Sequence, residues 1–193
     1  WEGGQGAWVK VGTGSTTYNT SPAPLQGSFS LIWTNTAGAS SYTTNVSAFS
    51  EIDVYFKMVI VSWDGVTAVP FSIRDNSSVI LTCHIDGISS SQTNGVLYAS
   101  TASTAQNGIT TNTVYHVWWH WKKGTGNGVC TAAFSTTGVR PTSGNNFAQV
   151  TNGTWTTDGT KLRIGSGGGS TSVLISDRLL VIYNGTATIG DNP

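Results

Sequence analysis

The sequence predicts an all-β fold in which two antiparallel sheets pack face to face as a sandwich. Apolar and polar residues alternate with a period of two along many short segments, and clusters of Gly, Asn and Ser separate those segments. No segment places apolar residues at helical spacing over three turns. Short strands joined by regularly spaced turns are typical of sandwiches and barrels.

The clearest strand covers residues 51–60. Side chains alternate across a strand, so one face is expected to meet the core: Ile52, Val54, Phe56, Met58 and Ile60. The other face is polar apart from one tyrosine: Glu51, Asp53, Tyr55 and Lys57. Residues 71–74 and 79–85 predict the next hairpin, with residues 75–78 as its loop.

A second hairpin is predicted from residues 114–122 and 129–135, joined by a Gly-rich turn at 123–128. One face of its first strand carries His116, Trp118, His120 and Lys122, and the other carries Tyr115, Val117, Trp119 and Trp121. Trp119 is expected in the core. Because both faces carry tryptophan, alternation does not decide which face points outward. Further strands are predicted at 161–164, 173–175 and 178–183, whereas residues 34–44 and 89–103 are interpreted as loops or edge strands.

Length and charge limit the function classes. The 193 residues suit one domain spanning 1–193. Charged residues make up 9% of the chain, against roughly 25% in an average soluble domain. Nine basic and nine acidic residues balance, so no basic surface for nucleic acid is expected. No apolar run is long enough to span a membrane. With no initiator Met and no signal peptide, the chain is interpreted as a processed form or an excised domain.

Three separated segments resemble a known group of extracellular modules. They are residues 1–8 with 21–31 (Trp-Glu-Gly-Gly and Ser-Pro-Ala-Pro-Leu-Gln-Gly-Ser-Phe-Ser-Leu), residues 115–138 (Tyr-His-Val-Trp, Lys-Lys-Gly-Thr-Gly and Phe-Ser-Thr-Thr-Gly), and residues 189–193 (Ile-Gly-Asp-Asn-Pro). Their order resembles the laminin-G-like, concanavalin A-like jelly rolls of microbes and phages. The resemblance implies a two-sheet antiparallel jelly-roll sandwich over residues 1–193, serving as a glycan-binding, adhesive or structural module.

Residues 51–56 resemble the catalytic strand of retaining β-glucanases, which share the concanavalin A-like fold. Such hydrolysis needs two carboxyl groups about 5–5.5 Å apart, one as nucleophile and one as acid/base. Glu51 and Asp53 are present, but Tyr55 or Phe56 stands at the acid/base position. An unperturbed tyrosine titrates near ~10 and does not protonate a glycosidic oxygen at neutral pH. We therefore predict that the chain is not an enzyme.

Trp118, flanked by His116 and His120, is the candidate ligand surface. A tryptophan can stack on a sugar ring while the imidazoles bond its hydroxyl groups. The alternative is a packed tryptophan with histidines that neighbouring groups satisfy. His84 joins His116 and His120 as a ligand or zinc candidate if residues 79–85 pair with 114–122, although no acidic or thiol ligand completes a zinc site.

Cys83 and Cys130 both fall on faces predicted to point inward, so the sequence leaves open a disulfide or two buried thiols. Related jelly rolls often carry a structural calcium ion near their termini. The resemblance therefore suggests Glu2 and a late aspartate, Asp177 or Asp191, as calcium ligands. No other cofactor is expected.

The sequence thus favours a non-catalytic carbohydrate-binding or adhesion module that is secreted, on an extracellular surface or in a virion. The alternative is a structural protein, such as a virion decoration or fibre subunit or a building block of an extracellular filament. A glycoside-active enzyme is the least favoured reading. The expected partners are a glycan or neighbouring protein subunits, including copies of the same chain.

Overall fold

The computed structural model describes residues 9–12, 15–19, 30–34, 40–62, 68–76, 78–87, 94–104, 108–165, 173–185, 189–191 and 193. Within these ranges the chain forms fifteen β-strands and no helix. No described helix is therefore long and apolar enough to cross a membrane. The strands, in chain order, are β1 Val9–Gly12, β2 Ser15–Asn19, β3 Ser30–Thr34, β4 Ser40–Phe49, β5 Glu51–Ser62, β6 Ala68–Arg74, β7 Val79–Gly87, β8 Asn94–Ala99, β9 Ala102–Ser103, β10 Ile109–Thr110, β11 Tyr115–Lys122, β12 Gly124–Ser135, β13 Phe147–Trp155, β14 Gly159–Ile164 and β15 Val173–Tyr183.

The strands form two antiparallel sheets, as the sequence predicts. An eight-stranded sheet has the order β1-β4-β14-β6-β7-β8-β10, with β9 paired to β8. A seven-stranded sheet has the order β13-β12-β11-β5-β15-β3-β2. Neighbours in the sheets are often far apart in sequence, so the chain passes repeatedly between the sheets as in a jelly roll.

The core lies between the two sheets, and β5 and β11 line it from the seven-stranded sheet. The predicted apolar face of β5 is buried there, from Ile52 to Ile60. On β11 the buried inward residues include Val117, Trp119 and Trp121, so the expectation for Trp119 is confirmed. The eight-stranded sheet contributes Phe71, Ile73, Cys83, Ile85 and Leu97. We call the side of the seven-stranded sheet that faces this core its inner face, and the opposite side its outer face.

Local turn chemistry explains the predicted hairpin between β6 and β7. The Asp75 carboxylate accepts a hydrogen bond from the Ser78 backbone N–H at 2.5 Å, and the Asp75 N–H donates to the Ser78 carbonyl at 3.1 Å. An aspartate side chain that accepts a hydrogen bond from nearby backbone in this way stabilises a turn through local contacts alone. The second predicted hairpin also forms, with β11 and β12 paired from His116–Ser135 to Lys122–Val129.

Several elements differ from expectation. β4 lies between β1 and β14, so residues 40–44 of the segment interpreted as a loop or edge strand belong to an interior strand. The predicted strands at 173–175 and 178–183 are one strand, β15, interrupted by a register shift between Asp177 and Leu180. β13 was not predicted, because its polar composition lacks a clear apolar alternation; it forms the edge of the seven-stranded sheet beside β12.

The pairing required for a zinc site is not present. β7 pairs with β6 and β8 in the eight-stranded sheet, whereas β11 pairs with β5 and β12 in the seven-stranded sheet. His84 therefore lies in a different sheet from His116 and His120, and the pairing of residues 79–85 with 114–122, which was the condition for a zinc site, does not occur. The two segments were predicted as inward-facing strands, but alternation carries no information about which strands become neighbours.

Candidate functional site

The outer face of the seven-stranded sheet carries two rows of side chains that cross neighbouring strands. Residues directly opposite each other on antiparallel strands point to the same side of a sheet. The aromatic row crosses five strands and consists of Leu180, Tyr55, Trp118, Ala133 and Phe147. The polar row beside it consists of Ile182, Asp53, His120, Thr131 and Gln149. Adjacent rows are separated by roughly 6.6–7 Å along the strands.

Trp118 lies in the middle of the aromatic row and is 1% exposed. Its indole Nε1 donates a hydrogen bond to the Gly190 carbonyl at 3.0 Å. Ile189 belongs to the same small apolar cluster as Tyr55, Trp118 and Ala133. The segment 189–190 therefore covers the tryptophan that the sequence offered as a ligand surface. Direct contact of Trp118 with a ligand stays a prediction, and it would require this segment to move.

His116 packs against Trp118 and bonds Tyr55. The His116 and Trp118 ring planes are 18° apart, with centroids separated by 6.0 Å. The Tyr55 hydroxyl and His116 Nδ1 are hydrogen-bonded at 2.8 Å. Tyr55 is fully buried. The position where a glucanase-like strand needs its acid/base thus holds a phenol that solvent does not reach.

His120 is the centre of a charged network. Its Nδ1 lies 3.4 Å from Asp53 Oδ1, and its Nε2 lies 3.7 Å from Glu51 Oε1. Arg140 Nη1 is 3.7 Å from the same Asp53 oxygen, and Lys122 Nζ is 3.5 Å from Glu51. Asp53 is only 6% exposed. A carboxylate buried to this degree needs compensating charge, which Arg140 supplies.

A pocket of about 600 Å³ opens over the polar row. Its floor is formed by strand residues: His120, Val129, Thr131, Phe147 and Gln149. Its walls are two segments far apart in sequence, residues 140–142 and 189–191. Its volume lies within the roughly 300–1,000 Å³ of small-molecule sites. The pocket therefore combines one aromatic ring with amide, hydroxyl, imidazole, guanidinium and carboxylate groups.

Arg140 joins the two walls. Its backbone N–H donates to Asp191 Oδ1 at 2.6 Å, and its Nη1 donates to the Ile189 carbonyl at 2.9 Å. The same guanidinium reaches Asp53 beneath the pocket. One side chain thus links the floor of the pocket to both walls.

A second cavity of about 350 Å³ lies at the end of β5. Asn184 closes one side of it, since its Oδ1 accepts hydrogen bonds from the backbone N–H groups of Ser50 at 2.8 Å and Glu51 at 3.3 Å. Lys123 is paired with Asp158 at 2.5 Å. Lys123 and Asp158 neutralise each other, and the Asn184 amide links the end of β15 to the start of β5. These contacts therefore stabilise this end of the sheet.

The structure brings three of the predicted ligand residues, His116, Trp118 and His120, onto one face, and places His84 in the other sheet. The side chain of His84 lies outside the described residues. Sequence reasoning missed Arg140, Phe147 and Gln149, and it named Asp191 only as a candidate calcium ligand. Arg140 had a detectable signal, since it is one of nine basic residues and stands between the predicted strand 129–135 and a proline. No local pattern singles out Gln149.

Cys83 and Cys130 are free thiols, both fully buried. The structure holds them as two separate buried thiols, and a disulfide between them stays a prediction. β7 and β12 carry the two residues into the core from opposite sheets, where a cysteine packs as a small apolar group. Burial raises the pKa of both thiols, and for Cys130 the charge of nearby Cys83 adds to the effect.

Of the predicted calcium ligands, Asp191 alone has a described side chain. Glu2 falls in a range that is not described, and only the backbone of Asp177 is, where it pairs with Lys57. Asp191 is described, and it accepts the hydrogen bond from Arg140. Among the described side chains, no three His, Cys, Asp or Glu residues are grouped as a metal site would require.

Comparisons with known proteins identify the fold through structure alone. No protein-family model and no curated protein sequence matches the chain. Among solved structures, the cellulose-induced protein Cip1 is similar with a TM-score of 0.59 and 12% identity, over 96% of this chain and 94% of that one. The Ca²⁺/Man3GlcNAc-bound exoplasmic/lumenal domain of VIP36 has a TM-score of 0.52 and 9% identity, over 96% of this chain and 86% of that one.

A sialidase is also similar, with a TM-score of 0.57 and 11% identity. The match covers 92% of this chain but 17% of the sialidase chain, so it concerns a small part of that protein. Assignment to the narrower laminin-G-like group stays a prediction. The two antiparallel sheets and these full-length similarities show that the chain has the concanavalin A-like jelly-roll fold.

Proposed function

We propose that the chain is a non-catalytic carbohydrate-binding module whose site is the pocket over the polar row. The observation that carries this proposal is the composition of the pocket. A partly buried aromatic ring, Phe147, lies beside hydrogen-bonding groups from Thr131, Gln149 and Asp191. A sugar presents an apolar C–H face and several hydroxyl groups, so it needs an aromatic surface next to donors and acceptors.

The charges favour an uncharged sugar. Asp191 in the pocket and Asp53 beneath it are two carboxylates that stand with one cation, Arg140, for a formal sum of −1. The Arg140 guanidinium already lies 3.7 Å from Asp53. An anionic sugar would therefore meet excess negative charge without an uncommitted cation. We infer that neutral glycans bind more tightly than uronic acids of the same length.

Two further observations support recognition over catalysis. The similar VIP36 domain is described with Man3GlcNAc bound, which makes a glycan a reasonable ligand for this fold. On this chain, the strand with Glu51 and Asp53 has buried Tyr55 where an acid/base would act. We infer that a bound oligosaccharide is released unchanged.

A glycan array followed by titration calorimetry tests the proposal. We expect saturable binding of neutral oligosaccharides, with affinity lowered about 3- to 10-fold in Gln149→Ala, which is the effect of one lost hydrogen bond. Asn152→Ala is the matched control, because it is an exposed amide on the same strand outside the pocket. No binding to any glycan, or equal loss in both variants, would contradict the proposed site.

The structural alternative makes a different prediction. A fibre or decoration subunit would form ordered polymers or a defined oligomer by electron microscopy and would bind no glycan. Adhesion follows from the proposed glycan binding only if the chain is on an extracellular surface, which we propose on the basis of its weakly charged, hydroxyl-rich composition. Secretion or display on a virion is part of the same proposal.

A structural calcium ion bound by Glu2 and Asp177 also stays a proposal. It predicts that added calcium raises the melting temperature and that a chelator lowers it. A melting temperature that neither reagent changes would contradict the calcium proposal and would not bear on the proposed glycan site.

A further inference from the structure

The segment 189–191 is a wall of the pocket that is attached from two sides. Its main attachment is apolar, because Ile189 is 5% exposed and packs with Tyr55, Trp118 and Ala133. Trp118 adds the indole hydrogen bond to the Gly190 carbonyl at 3.0 Å. Arg140 adds its two hydrogen bonds, to the Ile189 carbonyl and to the Asp191 carboxylate.

We propose that Trp118 and Arg140 are positioning residues that hold the segment 189–191 in place as the wall of the proposed glycan pocket. This inference rests on the proposed function for its effect on binding, but the attachment itself does not depend on a ligand. Trp118 then contributes to affinity through Gly190 and not by stacking on the sugar.

The geometry distinguishes these two roles of Trp118. A stacking tryptophan presents a ring face to the ligand, and phenylalanine preserves much of that contact. Here the ring is 1% exposed, and the functional group in use is the Nε1–H. Trp118→Phe keeps an aromatic ring and removes that donor. The variant therefore separates the positioning role from the stacking role.

Trp118 and Arg140 both bond the segment 189–191, so the loss of one attachment should be measurable at the other. In Trp118→Phe, looser attachment of residues 189–191 deprives the Arg140 backbone N–H of its Asp191 acceptor. We expect this N–H to exchange with solvent about 3- to 10-fold faster by NMR, as for the loss of one hydrogen bond. In Arg140→Lys, which keeps the charge facing Asp53, the Trp118 indole N–H should exchange about 3-fold faster or more.

Trp119→Phe is the matched control. It lies on the same strand, but its Nε1 faces the core and has no hydrogen-bond partner among the described residues. In Trp119→Phe, the Arg140 backbone N–H should exchange with solvent at the wild-type rate. Unchanged exchange at Arg140 in Trp118→Phe would overturn the proposed attachment, whatever happens to binding.

Glycan affinity, measured on the same variants, tests the second half of the inference. A parallel loss of affinity in Trp118→Phe and Arg140→Lys supports the wall as a determinant of binding. Faster exchange with unchanged affinity would overturn that role. Faster exchange in a protein that binds no glycan at all would support the attachment and overturn the proposed function instead.

Discussion

On β11, Trp119 and Trp121 point into the core, whereas Trp118 points from the opposite face towards the segment 189–191. All three are almost fully buried. The inner two have indole Nε1 groups without a hydrogen-bond partner among the described residues, while that of Trp118 bonds Gly190. The inner face is held by apolar packing, which tolerates an unbonded indole. The outer face combines a small apolar cluster around Ile189 with directional bonds to loop segments.

The same contrast holds on β5. Val54 and Phe56 face an apolar core, whereas Asp53, one position away, is nearly as buried but meets His120 and Arg140. Burial alone therefore does not distinguish core from site. What distinguishes them is the covering element, which is a second sheet on one side and the segments 140–142 and 189–191 on the other.

The largest expected effect is on the inner face. Trp119→Ala should lower the free energy of unfolding by about 3–5 kcal/mol, because it leaves a cavity in the tightly packed core. Denaturant titration followed by fluorescence or circular dichroism measures this change. Val139→Ala, at a residue that is 54% exposed, should stay within about 0.5 kcal/mol of the wild type. Similar values for the two variants would contradict the assignment of the inner face.

Removing the buried carboxylate of the outer face should have the next largest effect. Asp53→Ala leaves Arg140 and His120 facing a site without their shared partner, so we expect a loss of about 1–3 kcal/mol. Asp158→Asn removes a carboxylate from a pair that is only partly buried and should cost less than about 1 kcal/mol. If Asp53→Ala were as stable as the wild type, the outer face would not depend on its charge network.

Alkaline pH tests the inner face through its thiols. Burial raises the pKa of Cys83 and Cys130 above the ordinary value of 9.0, so the folded state holds these protons more tightly than the unfolded state. Their contribution is therefore full below pH 9 and is lost as pH rises above it. We expect a decrease of about 1.4 kcal/mol per pH unit for each thiol at most.

The double variant Cys83→Ala/Cys130→Ala provides the control for this pH dependence. Desolvation also raises the pKa of Tyr42 and of the partly exposed Tyr183, and these two tyrosines remain in the variant and account for the residual slope. Unfolding titrations at pH 8.5 and 9.5 should show a shallower decrease in the variant than in the wild type. Equal slopes would indicate that the thiols are bonded or exposed.

The smallest effect is expected at the exposed end of the outer face. The ion pair of Lys122 with Glu51 has a lysine side chain that is 55% exposed, so solvent screens it. Lys122→Gln should change the free energy of unfolding by less than about 0.5 kcal/mol. A loss comparable to that of Asp53→Ala would show that burial does not set the strength of these outer-face pairs.

Much of the local structure was predictable. The alternation in 51–60 identified both the strand β5 and its inner face, and Asp75 with Ser78 identified a turn through contacts within four residues. The candidate site was predictable only in part. His116, Trp118 and His120 share a face by parity, but the cover over Trp118 and the pocket beside it involve residues 140–142 and 189–191, which no local pattern links to β11.

The sequence by itself determined the all-β class, the inner face of β5 and the pairing of β11 with β12, because each depends on residues close together in the chain. Only the tertiary structure decided which tryptophan-bearing face of β11 is the inner one. Alternation with a period of two defines two faces of a strand but does not say which one points into the core. The register of β11 against β5 decides this, because Trp119 lies opposite Val54 and Trp118 lies opposite Tyr55, and the inner face of β5 is apolar throughout.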